Sequence, residues 1–328
     1  MAFLQLALLG VAAQIVCLGQ GVTCAPLQSA VKSTYNFKPS KLSQIEQKKK
    51  SAEMDSVWNL VEAKPDVMLP CLIAEMQAPG ADSWFVFDAG SLLAKLDHSP
   101  RANPLILRGC EIVDLEDIAL ADWIGRLTTL ALQDVDISVA ANRWMRYAHA
   151  SYSLPQHAFT AKRRDGAFFL YGSMDETLAT QALLRIASDP MHPERELALS
   201  LLGGLATPAA DAAFRSVDLT GFSAEARSGA RSMITNRPTF ERRTPAKSTR
   251  AELLAAFRPI ADRRDFRPFM EKIAKVPDGE RDVVTVLGRE DLPLIRKVRR
   301  TFAASGSPDL INDYPFFTAI IWTLQNRP

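Results

Sequence analysis

No charged side chain precedes Lys32, and 328 residues contain only four histidines and four cysteines. So few cysteines cannot build a disulfide-dense mini-fold. Glycine at 16 and proline at 20 exclude collagen-like and low-complexity classes. The chain has no G-x-S-x-G, H-E-x-x-H, P-loop or dinucleotide-binding glycine pattern, so no short motif argues for an enzyme or a cofactor. Alternating strand patterns are nearly absent. Net charge is small, with 39 Lys+Arg against 37 Asp+Glu. The remaining composition, 47% hydrophobic and 23% charged, is that of an ordinary globular protein. At about twice the ~150 residues of a typical domain, the length admits two small domains or one elongated array.

Residues Ala2 to Leu18 are mostly apolar, interrupted by Gln5 and Gln14, and small residues Gly19, Gly21, Thr23 and Ala25 follow. An apolar stretch backed by small residues reads as a secretory signal. Residues 1–25 are therefore expected to be a signal peptide or N-terminal anchor, and 26–39 an exposed lead-in. The expected location is periplasmic or secreted. The n-region departs from the pattern in having no Lys or Arg. Thr23-Cys24-Ala25 fits a small-x-small cleavage rule but leaves Pro26 after the cut. An uncleaved anchor is the alternative, because the run approaches the ~20 residues of a bilayer span. Lys48-Lys49-Lys50 would then hold the body in the cytoplasm. No other window approaches a membrane span.

Cys71 and Cys110 lie clearly in the mature body. In an oxidising compartment they can pair, closing a loop of about 40 residues. Otherwise both are buried thiols, as cysteines commonly are.

Beyond the lead-in the pattern is helical. Leu120, Trp123, Ile124, Leu127 and Ala131 share one helix face, as do Ala198, Leu202 and Leu205, and Leu294, Val298 and Phe302. Trp84-Phe85-Val86-Phe87 is aromatic and β-branched enough for a short strand, but is read as helix. Ser173-Met-Asp-Glu176 and Thr249-Arg-Ala-Glu252 have the form of capping boxes. Thr207-Pro208 and Ser307-Pro308 place an N-cap before a proline at N1. Arg164-Asp165-Gly166, Asp278-Gly279 and Ser305-Gly306 are expected turns.

The most specific signal is self-similarity. Ala179-Thr-Gln-Ala-Leu-Leu-Arg185 aligns with Ala209-Ala-Asp-Ala-Ala-Phe-Arg215 at an offset of 30, and its tail returns as Ala255-Ala-Phe-Arg258. Arg195-Glu-Leu-Ala-Leu-Ser-Leu-Leu202 aligns with Arg227-Ser-Gly-Ala-Arg-Ser-Met-Ile234 at an offset of 32. Two helices repeating in the same order are the mark of one supersecondary unit copied in tandem. The stretch from Arg195 to Phe214 resembles the HEAT-like repeats of bacterial proteins and of phycobilin lyases, with the form Arg-x-x-Ala-x-x-x-Leu-Gly, a short loop, then an apolar helix. The resemblance covers about residues 173–235. Gly229 and Ser232 stand where such units more usually carry apolar or alanine residues.

That resemblance implies an all-α fold, an α-solenoid of stacked antiparallel helix pairs, with degenerate repeats over 40–165 and HEAT-like repeats over 166–328. Tyr314, Phe316, Phe317, Ile320, Ile321 and Leu324 mark an apolar final helix expected to dock as a cap.

Candidate chemistry is sparse. His98, His149, His157 and His192 lack cysteine or carboxylate at metal-ligand spacing, so turn and packing roles are expected. Glu111, Asp114, Glu116, Asp117 and Asp122 suit a helix N-terminus. The segment from Trp144 to Tyr152, with His157 and Phe159, mixes aromatic and polar groups at the junction with the clear repeats, where a ligand groove can form.

Charge is uneven: residues 236–328 hold 18 basic and 12 acidic side chains. Arg242, Arg243, Arg296, Arg299 and Arg300 are the candidate binding surface. The expectation is an exported, non-catalytic scaffold that binds another protein or an envelope polymer, with no nucleic acid partner, no metal and no cofactor. It touches a membrane only through an uncleaved N-terminus. The alternatives are a lyase-like enzyme on the same scaffold and a membrane-tethered cytoplasmic adaptor.

Overall fold

A computed structural model describes residues 24–35, 43–97, 99–152, 159–237, 239–275, 277–307, 310 and 313–327. Among the described residues all regular structure is helical. The expected leader, apart from Cys24 and Ala25, lies outside them, as do His98, His157 and Pro308. Chain contacts divide the protein into two units, Met1–Trp123 and Ile124–Pro328. The division falls inside a helix, Leu120–Ala131.

The first unit contains α1 (Ala25–Thr34), α2 (Gln44–Ala63), α3 (Pro65–Gln77), α4 (Ser83–Leu96) and α5 (Asn103–Ile112). The lead-in expectation is corrected here. Residues 25–34 form a helix that buries Leu27, Val31 and Thr34 and packs on α2 and α3. The disulfide expectation is corrected as well: Cys71 of α3 bonds Cys24, at the start of α1, and Cys110 remains a buried thiol. Cys71 has one sulfur to give, and the α1–α3 packing brings Cys24 to it.

Ser43 opens α2 with a complete capping box to Glu46. The aromatic run 84–87 is helical because the Asp82 carboxylate accepts the amide protons of Trp84 and Phe85 at 2.9 Å each. The helix so started buries Phe85, Val86 and Phe87.

The second unit begins within α6 (Leu120–Ala131) and continues through α7 (Ser138–Tyr152), α8 (Phe159–Ser173), α9 (Glu176–Ser188), α10 (Arg195–Leu205), α11 (Pro208–Ser216) and α12 (Ala224–Thr235). Helix α9 packs on α10 and α11, and α10 on α11 and α12. The 30-residue offset therefore relates two helices in contact, and so does the 32-residue offset. Ala198 and its counterpart Ala230 are both buried.

Gly166 is not a turn but a residue inside α8; a Cβ there would meet the Trp144 ring at 2.6 Å, so glycine lets α7 and α8 approach. Ser173 is not the cap of α9 either. Its hydroxyl donates to the Leu170 carbonyl, and Asp175 caps the helix through the amides of Thr177 and Leu178. Glu176 is thereby left for another partner. Thr207 and Thr249 cap α11 and α13 (Arg250–Arg263) as their sequences indicate.

The remaining helices are a short α14 (Arg267–Phe269) running into a π-turn over Met270–Ala274, then α15 (Gly279–Val286), α16 (Leu292–Ala304) and α17 (Asp313–Gln325). Helix α16 packs on α8, α13 and α17, and α17 also touches α10 and α15. Phe257, Phe269, Phe302 and Phe317 share the core between α13, α14, α16 and α17, with the Phe302 and Phe317 rings 4.8 Å apart. Burial of each such ring is worth roughly 2–3 kcal/mol. The final helix does dock through Tyr314, Phe317, Ile320, Ile321 and Leu324.

Candidate functional site

A half-open cavity of about 860 Å³ lies along α10 and α12. Its apolar lining is Leu197, Leu199, Phe214, Ala230 and Met233; its polar lining is His149, Glu194, Glu196, Ser200 and Glu225. Gly229 also lines it; it stands opposite Leu197 in the 32-residue alignment, and a Cβ built there meets nothing within 4 Å.

The entrance to α10 fixes the polar side. Pro193 precedes the helix, and α10 has no side-chain cap from its own N-cap residue, Glu194. His192, one residue before the proline, fixes Glu194 instead: its Nδ1 accepts the Glu194 amide proton at 3.1 Å. Nδ1 as acceptor places the ring proton on Nε2, which donates to Asn142 Oδ1 at 2.8 Å. Burial, and then the Arg146 charge, hold the His192 imidazole below its ordinary pKa, in keeping with this neutral form.

With its amide so held, Glu194 is only 4% exposed, and its carboxylate receives His149 Nδ1 at 2.6 Å. His149 is half-exposed at the cavity. A buried carboxylate thus orients an imidazole whose other ring nitrogen lies on the opposite edge of the ring.

Two further contacts join α10 to the connection that leads into α12. Glu196 Oε1 accepts the Ser223 amide at 2.8 Å, joining α10 to the start of α12. Arg195 lies 3.9 Å over the Phe222 ring. At the far end of α12, Arg237 donates to the Gly203 carbonyl at 3.0 Å and to Asp211 at 2.7 Å. Burial raises the Asp211 pKa, but hydrogen bonds from Arg215 and Arg237 outweigh it and hold the carboxyl below its ordinary range. Arg215, being exposed, adds little to stability.

The five arginines expected as a binding surface lie in different environments. Arg299 is 1% exposed and donates to Glu176, to the Leu205 carbonyl at 2.9 Å and to Thr318 at 3.3 Å. Arg296 pairs with Glu176 at 3.0 Å and donates to Gln325. Arg300 donates to the carbonyls of Ser173 and Ala131 at 3.0 and 2.6 Å and to Asp134. Both carbonyls end helices, where cationic donors are favoured. Arg243 pairs with Asp278 at 2.8 Å, which leaves Arg242 as the exposed member of the set. The basic helix face is therefore an internal fastening between α16 and α8–α10.

Sequence reasoning pointed to the region of His149 through its aromatic and polar mixture but missed Glu194, which lies 45 residues away and beside a proline. Among the described residues no group of three His, Cys, Asp or Glu side chains converges as a metal site requires, and no helix is long and apolar enough to cross a membrane. Compared with protein-family models, curated proteins and solved structures, the chain matches none.

Proposed function

We propose that this chain is a non-catalytic, HEAT-like binding protein whose partner occupies the groove between α10 and α12. One observation carries the reading: a half-open cavity of about 860 Å³ is lined by Gly229, which aligns with Leu197 at the 32-residue offset and leaves open space where a side chain would stand. Helical repeats bind through surfaces built this way, by varying side chains on a fixed stack. The solenoid reading is supported by the packing of α9 on α11 and of α10 on α12, the like helices of successive copies. Export, with the partner in the periplasm or outside the cell, is part of the same proposal and rests on the apolar N-terminus.

The test is a photo-crosslinking amino acid placed at position 229, where the added side chain meets open space. A discrete adduct is expected from 229 and none from Ile45, an exposed control on α2. Equal labelling from both positions, or none from 229, overturns the reading.

A lyase-like enzyme on the same scaffold is favoured by a single feature, the orientation of His149 by buried Glu194 at the cavity, which is what a general base needs. H149Q separates the two readings: an enzyme loses its turnover, whereas a binding protein has none to lose and changes only in affinity.

A further inference from the structure

Resting on the groove reading above, we propose that the occupant is a peptide segment carrying a lysine or arginine beside a large apolar side chain. The charge around the cavity is one-sided. Glu194, Glu196 and Glu225 line it, and among the described residues no lysine or arginine does. Whole-chain charge does not impose this, since the protein carries a formal +2 and 18 of its basic groups fall in residues 236–328. The acidity is local to the groove.

The three carboxylates differ in availability. Glu194 is committed to His149 and fixes the wall. Glu196 gives one oxygen to Ser223. Glu225 stands exposed in the first turn of α12. Glu196 and Glu225 are therefore the groups placed to meet an incoming cation. Beside them the floor of Leu197, Phe214, Ala230 and Met233 and the space at Gly229 accept an apolar side chain. Both carboxylates are exposed, so solvent and salt screen their attraction for an ammonium or guanidinium. A purely hydrophilic polycation would leave that floor wet, and a purely apolar segment would leave the carboxylates unmatched.

The experiment selects a short random-peptide library on the immobilised full chain, then measures the enriched peptides in solution against wild type, E225K, E225Q and G229L. Glu225 is exposed and a Cβ at 229 meets nothing within 4 Å; circular dichroism with thermal melting verifies the fold of each variant. Enriched sequences are expected to pair Lys or Arg with Leu, Ile, Phe or Met. Their affinity is expected to fall about tenfold or more in E225K, less in E225Q, and to weaken with added salt. It should also fall in G229L.

Neutral or acidic peptides whose binding still falls in G229L overturn the cationic inference and leave the groove reading standing. Peptides indifferent to G229L, or no enrichment at all, overturn both. Displacement of the enriched peptides by free spermidine alone, with equal sensitivity to E225K, reassigns the site to a free amine and also overturns the peptide inference.

Discussion

His149 Nδ1 and Glu194 Oε1 lie 2.6 Å apart across 45 residues of sequence, and the carboxylate of this pair is almost wholly buried. A buried carboxylate needs a donor, so the pair is a structural bond as well as the polar wall of the groove. In a double-mutant cycle of H149A and E194A, read by urea unfolding, a coupling of about 1 kcal/mol is expected, because half-exposure of the imidazole discounts the bond. Additive effects would show that the two side chains do not interact in solution.

Arg299 makes a larger contribution. Replacing it by methionine keeps much of its volume but leaves the Leu205 carbonyl and Thr318 without this donor and Glu176 with Arg296 alone. A loss of roughly 3–5 kcal/mol is expected. R299K should recover little of it, since an ammonium cannot serve both partners with the geometry of the guanidinium. A shift in the urea midpoint of less than the equivalent of about 1 kcal/mol contradicts this role.

The Cys24–Cys71 bridge closes a loop with a sequence separation of 47. Chain entropy assigns such a bridge about 4 kcal/mol. Reduction, or the C24S/C71S double variant, is expected to lower the melting temperature of the first unit by that measure. A non-reducing peptide map should show 24 joined to 71, with Cys110 alkylated only after unfolding. A Cys71–Cys110 crosslink contradicts the structure.

Stability should depend on pH through His192. Its folded pKa is depressed below the ordinary 6.5, by burial first and the Arg146 charge second. The unfolded chain therefore binds the proton more readily, and the stabilisation is complete above about pH 6.5 and lost as pH falls through the folded value. Comparing urea midpoints at pH 7.5 and pH 5.5, wild type should lose more than H192Q, which has no imidazole to protonate. Equal losses would remove His192 from the explanation.

Much of the helical framework is legible from local chemistry. Thr249 with Glu252, and Thr207 before Pro208, announce helix starts because a cap and its partner are neighbours in sequence. Where two caps compete locally the pattern misleads. Ser173 and Asp175 both precede Glu176; the aspartate takes the cap, which frees Glu176 to pair with Arg299 and Arg296 from α16. Arg296, Arg299 and Arg300 look like a solvated face because their acceptors, Glu176 for the first two and the Ser173 and Ala131 carbonyls for Arg300, lie more than a hundred residues earlier in the chain. Cys24 was hidden for a different reason: it sits against a segment whose apolar character reads as a leader, so its partnership with Cys71 has no local signature. Of the groove, the sequence shows Gly229 departing from the repeat and His149 in a polar aromatic stretch; only tertiary packing brings in Glu194.

Hydrogen–deuterium exchange on the full chain, with and without a saturating enriched peptide, addresses occupancy of the groove most directly. Slowed exchange confined to the amides of α10, α12 and the 192–194 connection is the expected result. Protection centred on any other helices, or exchange unchanged by a bound peptide, would contradict it.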